Sequence, residues 1–220
     1  MTNGHITDNN QREKTIMEKY TYETATLQQR LETYEWDSTW IELANTEHDY
    51  RILYIGDSIS CGIRVPATNL TGKKILFDGF GTSKSLDNPY FFDSLKLFAA
   101  QQQTRRAIIF NNGLHGWHMD DETEYKYYYE EMIKFLLKEF AEAPLYIVLT
   151  THITNPEREA RVIRRNQVAK ELAEKYNLKV IDLYQVSLDA AYLLDSGGVH
   201  WVPEGYEVLA KEILRVLADL

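Results

Sequence analysis

The sequence predicts an α/β protein, a three-layer α/β/α sandwich around a five-stranded, mostly parallel sheet. Three observations predict it: apolar runs of strand length recur along the chain, helical patterns alternate with them, and no repeat or low-complexity linker interrupts the series. Repeated strand-then-helix order is what a parallel sheet covered on both faces requires. At 220 residues the chain has enough interior for that sheet and its helices in one domain.

In chain order, residues 1–20 read as a polar lead, and residues 21–220 as a single domain with a helical extension at 21–48. The extension's pattern runs from about Glu23 to Asn45, with Leu27, Leu31, Tyr34, Trp36 and Trp40 among its apolar positions and Asp37 as a point of recapping. The five strand candidates are RILYIG (51–56), KKILF (73–77), RAIIFN (106–111), PLYIVLT (144–150) and LKVIDL (178–183). Each is too short for a lone helix and mostly apolar. Between them, PYFFDSLKLFAAQQQ opens on a proline. ETEYKYYYEEMIKFLLKEF sets Tyr125, Tyr129, Met132, Ile133, Leu136 and Phe140 on one face at three- and four-residue steps. NPEREARVIRRNQVAKELAEKYN opens with Asn155 as an N-cap and Pro156 at the first helical position, and Asn177 stops it. PEGYEVLAKEILRVLADL closes the chain.

Charge and composition exclude several classes. The formal net charge is −9, and the pair Arg164–Arg165 is too short a basic run for a nucleic-acid partner. The single cysteine, Cys61, excludes an internal disulfide and a cysteine-based zinc cage. No apolar run approaches a membrane span, and the opening MTNGHITDNNQREK lacks a secretory pattern, so a soluble, reduced, cytoplasmic protein is expected.

In open parallel sheets, ligands bind beyond the carboxyl ends of the strands. Five loops should therefore converge: GDSIS, DGFGTS, NNGLHGW, TTHITN and DSGGVHW. Phosphate loops fail there, because Ala67 and Lys74 break a Walker pattern and Lys84 takes the third glycine of a dinucleotide fingerprint. His115 and His118 lie three apart, but Gly116 argues for a loop and no cysteine pair or H-E-x-x-H supports a metal, so none is assigned. Serine chemistry fits better. Ser58 ends the first core strand, His200 precedes the last helix behind two glycines, and Asp195 stands five residues earlier. Gly81 and Asn111 or Asn112 offer donors for an oxyanion. GDSIS is not a G-x-S-x-G elbow, since Ser60 takes the last glycine's place.

With these residues the chain resembles the SGNH, or GDSL-type, hydrolases over roughly residues 50–215. ILYIGDSIS looks like the first block, FDGFGTS the second, IIFNNGLHGW the third, and GGVHWVPEGYEVLA the last block with its helix. The resemblance implies a flavodoxin-like sandwich and a serine esterase that needs no cofactor. It implies Ser58 as nucleophile, His200 as base, and an oxyanion hole of the Ser58 and Gly81 N–H groups with the Asn111 amide. Gly79 is the fallback for Gly81, and Asn112 or His115 for Asn111. The family's acid position falls on Gly197, so Asp195 is assigned to orient His200 from two residues earlier, with a main-chain carbonyl as the alternative. Trp117 and Trp201 flank these loops and are expected to wall the substrate pocket as sugar-stacking platforms. Relatives with Asn-x-Gly-x-His in the third block look like esterases of acetylated sugars, so the expected partner is a small acyl ester. A thioesterase or lysophospholipase-like activity, or a non-catalytic binding domain, are the alternatives.

Overall fold

The computed structural model describes residues 31–102 and 104–220. Its sheet has six strands: β1 (Asp37–Trp40), β2 (Arg51–Gly56), β3 (Leu76–Thr82), β4 (Ala107–Phe110), β5 (Leu145–Val148) and β6 (Lys179–Ile181). They lie in the order β1-β3-β2-β4-β5-β6. The last five in sequence are mutually parallel and correspond to the five expected strands.

β1 corrects the expected helical extension. Asp37–Trp40 runs antiparallel to β3, Asp37 opposite Thr82 and Trp40 opposite Gly79. Four mostly exposed edge residues are too few to display a period of two. Tertiary bonds hold the strand: Lys84 Nζ donates to both Asp37 carboxylate oxygens at 2.8 Å, and Ser83 N–H donates to Trp36 O at 3.1 Å. The polar lead at 1–20 and the start of the expected extension lie outside the described residues.

Among the described residues, six helices cover the sheet: α1 (Ser58–Leu70), α2 (Phe91–Ala99), α3 (Glu122–Glu139), α4 (Pro156–Lys175), α5 (Leu183–Asp189) and α6 (Pro203–Val216). Because strand side chains alternate, β2 divides its apolar residues between two cores. Leu53 and Ile55 join Phe91 and Phe98 of α2, Tyr125, Tyr129 and Met132 of α3, and Leu172 of α4. Ile52 and Tyr54 join Ile59 and Ile63 of α1 and Leu209 and Ile213 of α6 on the opposite face. Asn155 caps α4 as expected, accepting from Arg158 N–H at 3.0 Å with Pro156 at the first turn.

The chain passes from β2 outward to β3, then crosses back to β4 on the other side of β2. That reversal opens a crevice at the carboxyl ends of β2 and β4. The segments that follow these two strands carry Ser58 and the loop 111–119.

Candidate active site

Where β2 stops at Gly56, Asp57 caps α1 by accepting Ile59 N–H at 2.9 Å, and Ser58 becomes the first helical residue. An N–H in a first helical turn has no intrahelical carbonyl to meet, so that of Ser58 is available to a ligand. His200 is placed by a closed loop before α6. Asp195 N–H donates to His200 O at 2.9 Å, Val202 N–H donates to Leu193 O at 3.0 Å, and Leu194 and Trp201 form an antiparallel bridge. Gly198 turns the loop at φ +68°, and a Cβ there would also lie 1.9 Å from Thr154 Oγ1, so no other residue fits. The result is contact across 142 positions: Ser58 Oγ lies 2.8 Å from His200 Nε2. An imidazole at that distance can take the hydroxyl proton.

This pair faces a cavity of about 280 Å³ lined by Ser58, Leu114, His115, Trp117, Ile153, Arg158, Gly197, Val199 and His200. Four of the five expected loops contribute to it. The fifth, DGFGTS, does not. Gly81 lies inside β3 between Ser38 of β1 and Gly56 of β2, and Gly79 between Trp40 and Tyr54. A strand residue paired on both sides spends its N–H in one ladder or the other, so neither glycine is an oxyanion donor here. Gly81 is small for another reason: a Cβ would stand 2.2 Å from Cys61 Sγ of α1.

Other assignments also change. Asn111 donates its amide to Val148 O at 2.9 Å and to Thr150 Oγ1 at 3.0 Å, which ties β4 to β5 and leaves no amide hydrogen for substrate. Asn112 donates to Lys84 O at 3.0 Å. His115 is the third-block candidate that reaches the cavity. Asp195 Oδ1 accepts the N–H groups of Gly197 at 2.9 Å and Gly198 at 3.1 Å. Among the described residues, no hydrogen bond or ion pair joins its carboxylate to the His200 ring, and Asp195 braces the loop rather than the imidazole.

Trp201 is a core residue, 4% exposed, packed against Gly205. Trp117 does line the cavity, but its ring is met by the guanidinium carbons of Arg158, Arg161 and Arg165 at 5.9, 5.1 and 5.0 Å. With its faces taken by arginines, it is no platform for a sugar. His118 pairs with Asp87 at 2.8 Å and His152 with Glu159 at 2.7 Å, and among the described residues no three His, Cys, Asp or Glu side chains are grouped to hold a metal ion.

No family model and no curated protein matches this sequence. Solved structures match in fold. A member of the lipolytic protein G-D-S-L family from Veillonella parvula superposes with a TM-score of 0.61 at 19% identity, covering 78% of this chain and 100% of that one. The lipase/acylhydrolase from Enterococcus faecalis gives 0.58 at 18%, covering 77% and 96%. The acetylxylan esterase Axe2 from Geobacillus stearothermophilus gives 0.55 at 16%, covering 76% and 94%. The chain has the GDSL-type hydrolase fold.

Within this GDSL-type fold the electrostatics separate two groups beside Ser58. Burial raises Asp57 from 3.8 to about 6, partly opposed by its Ile59 bond and the charge of His200. Burial, with Arg165 nearby, lowers His115 from 6.5 to about 4, so its ring is neutral at pH 7. Sequence reasoning passed over Arg158 and Arg165. Val162, Arg165, Ala169 and Leu172 are buried on α4 at steps of three and four, so an arginine on an apolar stripe was the available signal for Arg165. Nothing in the sequence marked Arg158. Among the described residues, no helix is long and apolar enough to cross a membrane.

Proposed function

We propose that the protein is a serine ester hydrolase working through an acyl-enzyme. The 2.8 Å contact between Ser58 Oγ and His200 Nε2, beside a cavity of about 280 Å³, carries this reading. His200 takes the Ser58 proton as Oγ attacks the ester carbonyl, then gives it to the departing alcohol. Water, deprotonated by the same imidazole, releases the acid. The oxyanion is held by Ser58 N–H and the ring N–H of His115. His115 lines the cavity together with Ser58 and His200, which supports this role. A ring neutral at pH 7 donates this bond without competing for the serine proton.

The acyl group is short, acetyl being the first choice, and the alcohol is a carbohydrate or similar small polyol. The cavity volume and the apolar side chains of Leu114, Ile153 and Val199 support a small acyl group over a long chain. The acetylxylan esterase among the structural neighbours fits the same class.

Fluorophosphonate labelling beside an aryl-ester series tests the reading. Ser58 should be labelled, activity should peak at acetate, and Ser58→Ala and His200→Ala should each abolish turnover with the unfolding transition retained. His115→Ala should lower kcat by about 10²–10³, the usual effect of losing one oxyanion donor. Normal turnover by the Ser58→Ala protein would reject the mechanism.

A further inference from the structure

We propose that Glu32 is a positioning residue for the catalytic loop, its buried carboxylate holding the turn at Gly116 from which His115 and Trp117 reach the cavity. The inference rests on the hydrolase reading above, in which His115 donates to the oxyanion, and it adds to that site a residue from the segment before β1. Glu32 Oε1 accepts the Gly116 N–H at 2.7 Å across 84 positions of sequence, from a side chain that is fully buried. Arg165 Nη2 donates to the carbonyl oxygen of the same glycine at 2.6 Å. Gly116 is thus gripped at both polar ends, its N–H by an anion and its oxygen by a cation. It stands at φ +72°, and a Cβ there would lie 2.6 Å from Met119 Cε and 2.9 Å from Ser85 Cβ, so the loop turns on a glycine. His115 and Trp117, on either side of that turn, both line the catalytic cavity.

Glu32 is itself fixed. Its N–H donates to Glu35 Oε1 at 2.8 Å, and the same oxygen accepts from Asn88 Nδ2 at 3.3 Å. Trp36 N–H donates to Ser83 Oγ at 2.8 Å, and the Trp36 ring meets the His115 ring edge-on with centroids 6.2 Å apart. The segment from Glu32 to Trp36 is therefore tied to the stretch after β3 and set against His115. Burying a carboxylate is costly unless charge and hydrogen bonding answer it. Burial lowers the pKa of Arg165, and the charge of Glu32 is among the influences that oppose the shift, so the two opposite charges act on each other as well as on the loop. A neutral oxygen would satisfy one N–H, but a carboxylate makes the stronger, charge-assisted bond and holds the turn more tightly. Such precision counts where a donor must meet an oxyanion, since a displacement of about 1 Å can cost about 10² in rate. His115 meets that charge only in the transition state, so loss of Glu32 should fall on kcat and spare KM.

Kinetics on an aryl acetate test the proposal. Glu32→Ala should lower kcat about 10²-fold, and Glu32→Gln, which keeps an acceptor oxygen without the charge, about tenfold, each with KM within about twofold. In the His115→Ala background, Glu32→Gln should cost no further kcat, because the group it positions is gone. A role in fold stability alone would leave the tenfold loss in place. That result, or an unchanged kcat in either single variant, overturns the proposal. The Gly116 amide proton, read by NMR on the isotope-labelled Ser58→Ala protein, needs no turnover. Bonded to a carboxylate it should resonate downfield, and it should move upfield on adding Glu32→Gln. Fluorophosphonate labelling of Ser58 with that proton unmoved would remove this inference alone, whereas absence of labelling would remove the hydrolase reading beneath it.

Discussion

Arg165 Nη1 donates to the carbonyl oxygen of His115 at 2.6 Å, from a side chain that is 1% exposed. The same guanidinium reaches Gly113 O at 3.1 Å, Gly116 O at 2.6 Å and Met119 O at 3.4 Å, and lies over Tyr125 at 4.5 Å. The loop bearing His115 and Trp117 is therefore wound around a buried cation whose partners are main-chain carbonyls. Burial lowers Arg165 to about 10, which leaves it charged at neutral pH.

Replacing Arg165 by Met should strand several desolvated carbonyls and cost on the order of 3–5 kcal/mol, read as a fall in the urea midpoint. Arg165→Lys keeps the charge but not the fork, so it should be less damaging to stability while still lowering kcat more than it raises KM. An Arg165→Lys protein with unchanged kcat would show that the loop holds His115 without the clamp.

Asp57 and His115 should impose opposite pH slopes on stability. Between about pH 4 and 6 the folded state keeps a proton on Asp57 that the unfolded chain has released, so stability falls as pH rises. Over nearly the same interval the unfolded chain holds a proton on His115 that the folded state has given up, so stability rises with pH. Each shift corresponds to roughly 3 kcal/mol, and the two nearly cancel. Asp57→Asn should leave a curve rising toward neutral pH, and His115→Gln one falling toward pH 6. Urea midpoints at both ends of the interval check this, and slopes of the same sign in the two variants would contradict it.

Asp195→Asn separates a loop brace from a triad acid. An asparagine oxygen can still accept the Gly197 and Gly198 N–H groups, so the loop and most of the activity should survive. An acid bonded directly to the catalytic imidazole behaves otherwise, its Asn variant losing about 10⁴ in kcat. Asp195→Ala, which removes the brace, should be the worse of the two, costing about 1 kcal/mol in stability. Parallel kcat and melting measurements on both variants decide the matter.

The parts of the site that were legible in the sequence are those fixed by short local patterns. Ser58 and His200 each sit at an element boundary marked by its own residues, the Asp57 cap and the glycine pair before His200. β2, buried at all six positions, matches its expected bounds. β3 does not: it runs through Asp78–Gly79–Phe80–Gly81, which reads as a loop. Those glycines mark close approach of α1, since a Cβ at Gly79 would meet Arg64 Nη1 at 2.7 Å and one at Gly81 would meet Cys61 Sγ at 2.2 Å. Asn111 was misassigned because its partners, Val148 and Thr150, lie far along the chain. Such pairings depend on strand order, which local pattern does not encode.

The contact between Gly81 and Cys61 gives a reciprocal test of why that glycine is there. Gly81→Ala alone should destabilise by about 1–3 kcal/mol, because the new methyl overlaps Cys61 Sγ and presses α1, with Ser58 at its start, away from the sheet. Activity should fall with it. After Sγ, the next atoms around the added carbon are Asp57 O at 3.4 Å and Ser38 O at 3.5 Å, both ordinary contacts. Cys61→Ala on the same chain removes the overlap and leaves room of about the right size, so the double variant should recover most of the stability and turnover lost by Gly81→Ala. The coupling energy from a double-mutant cycle should be at least ~1 kcal/mol in the compensating direction. Additive losses, with Cys61→Ala giving no relief, would show that Gly81 serves something other than the packing of α1 on β3.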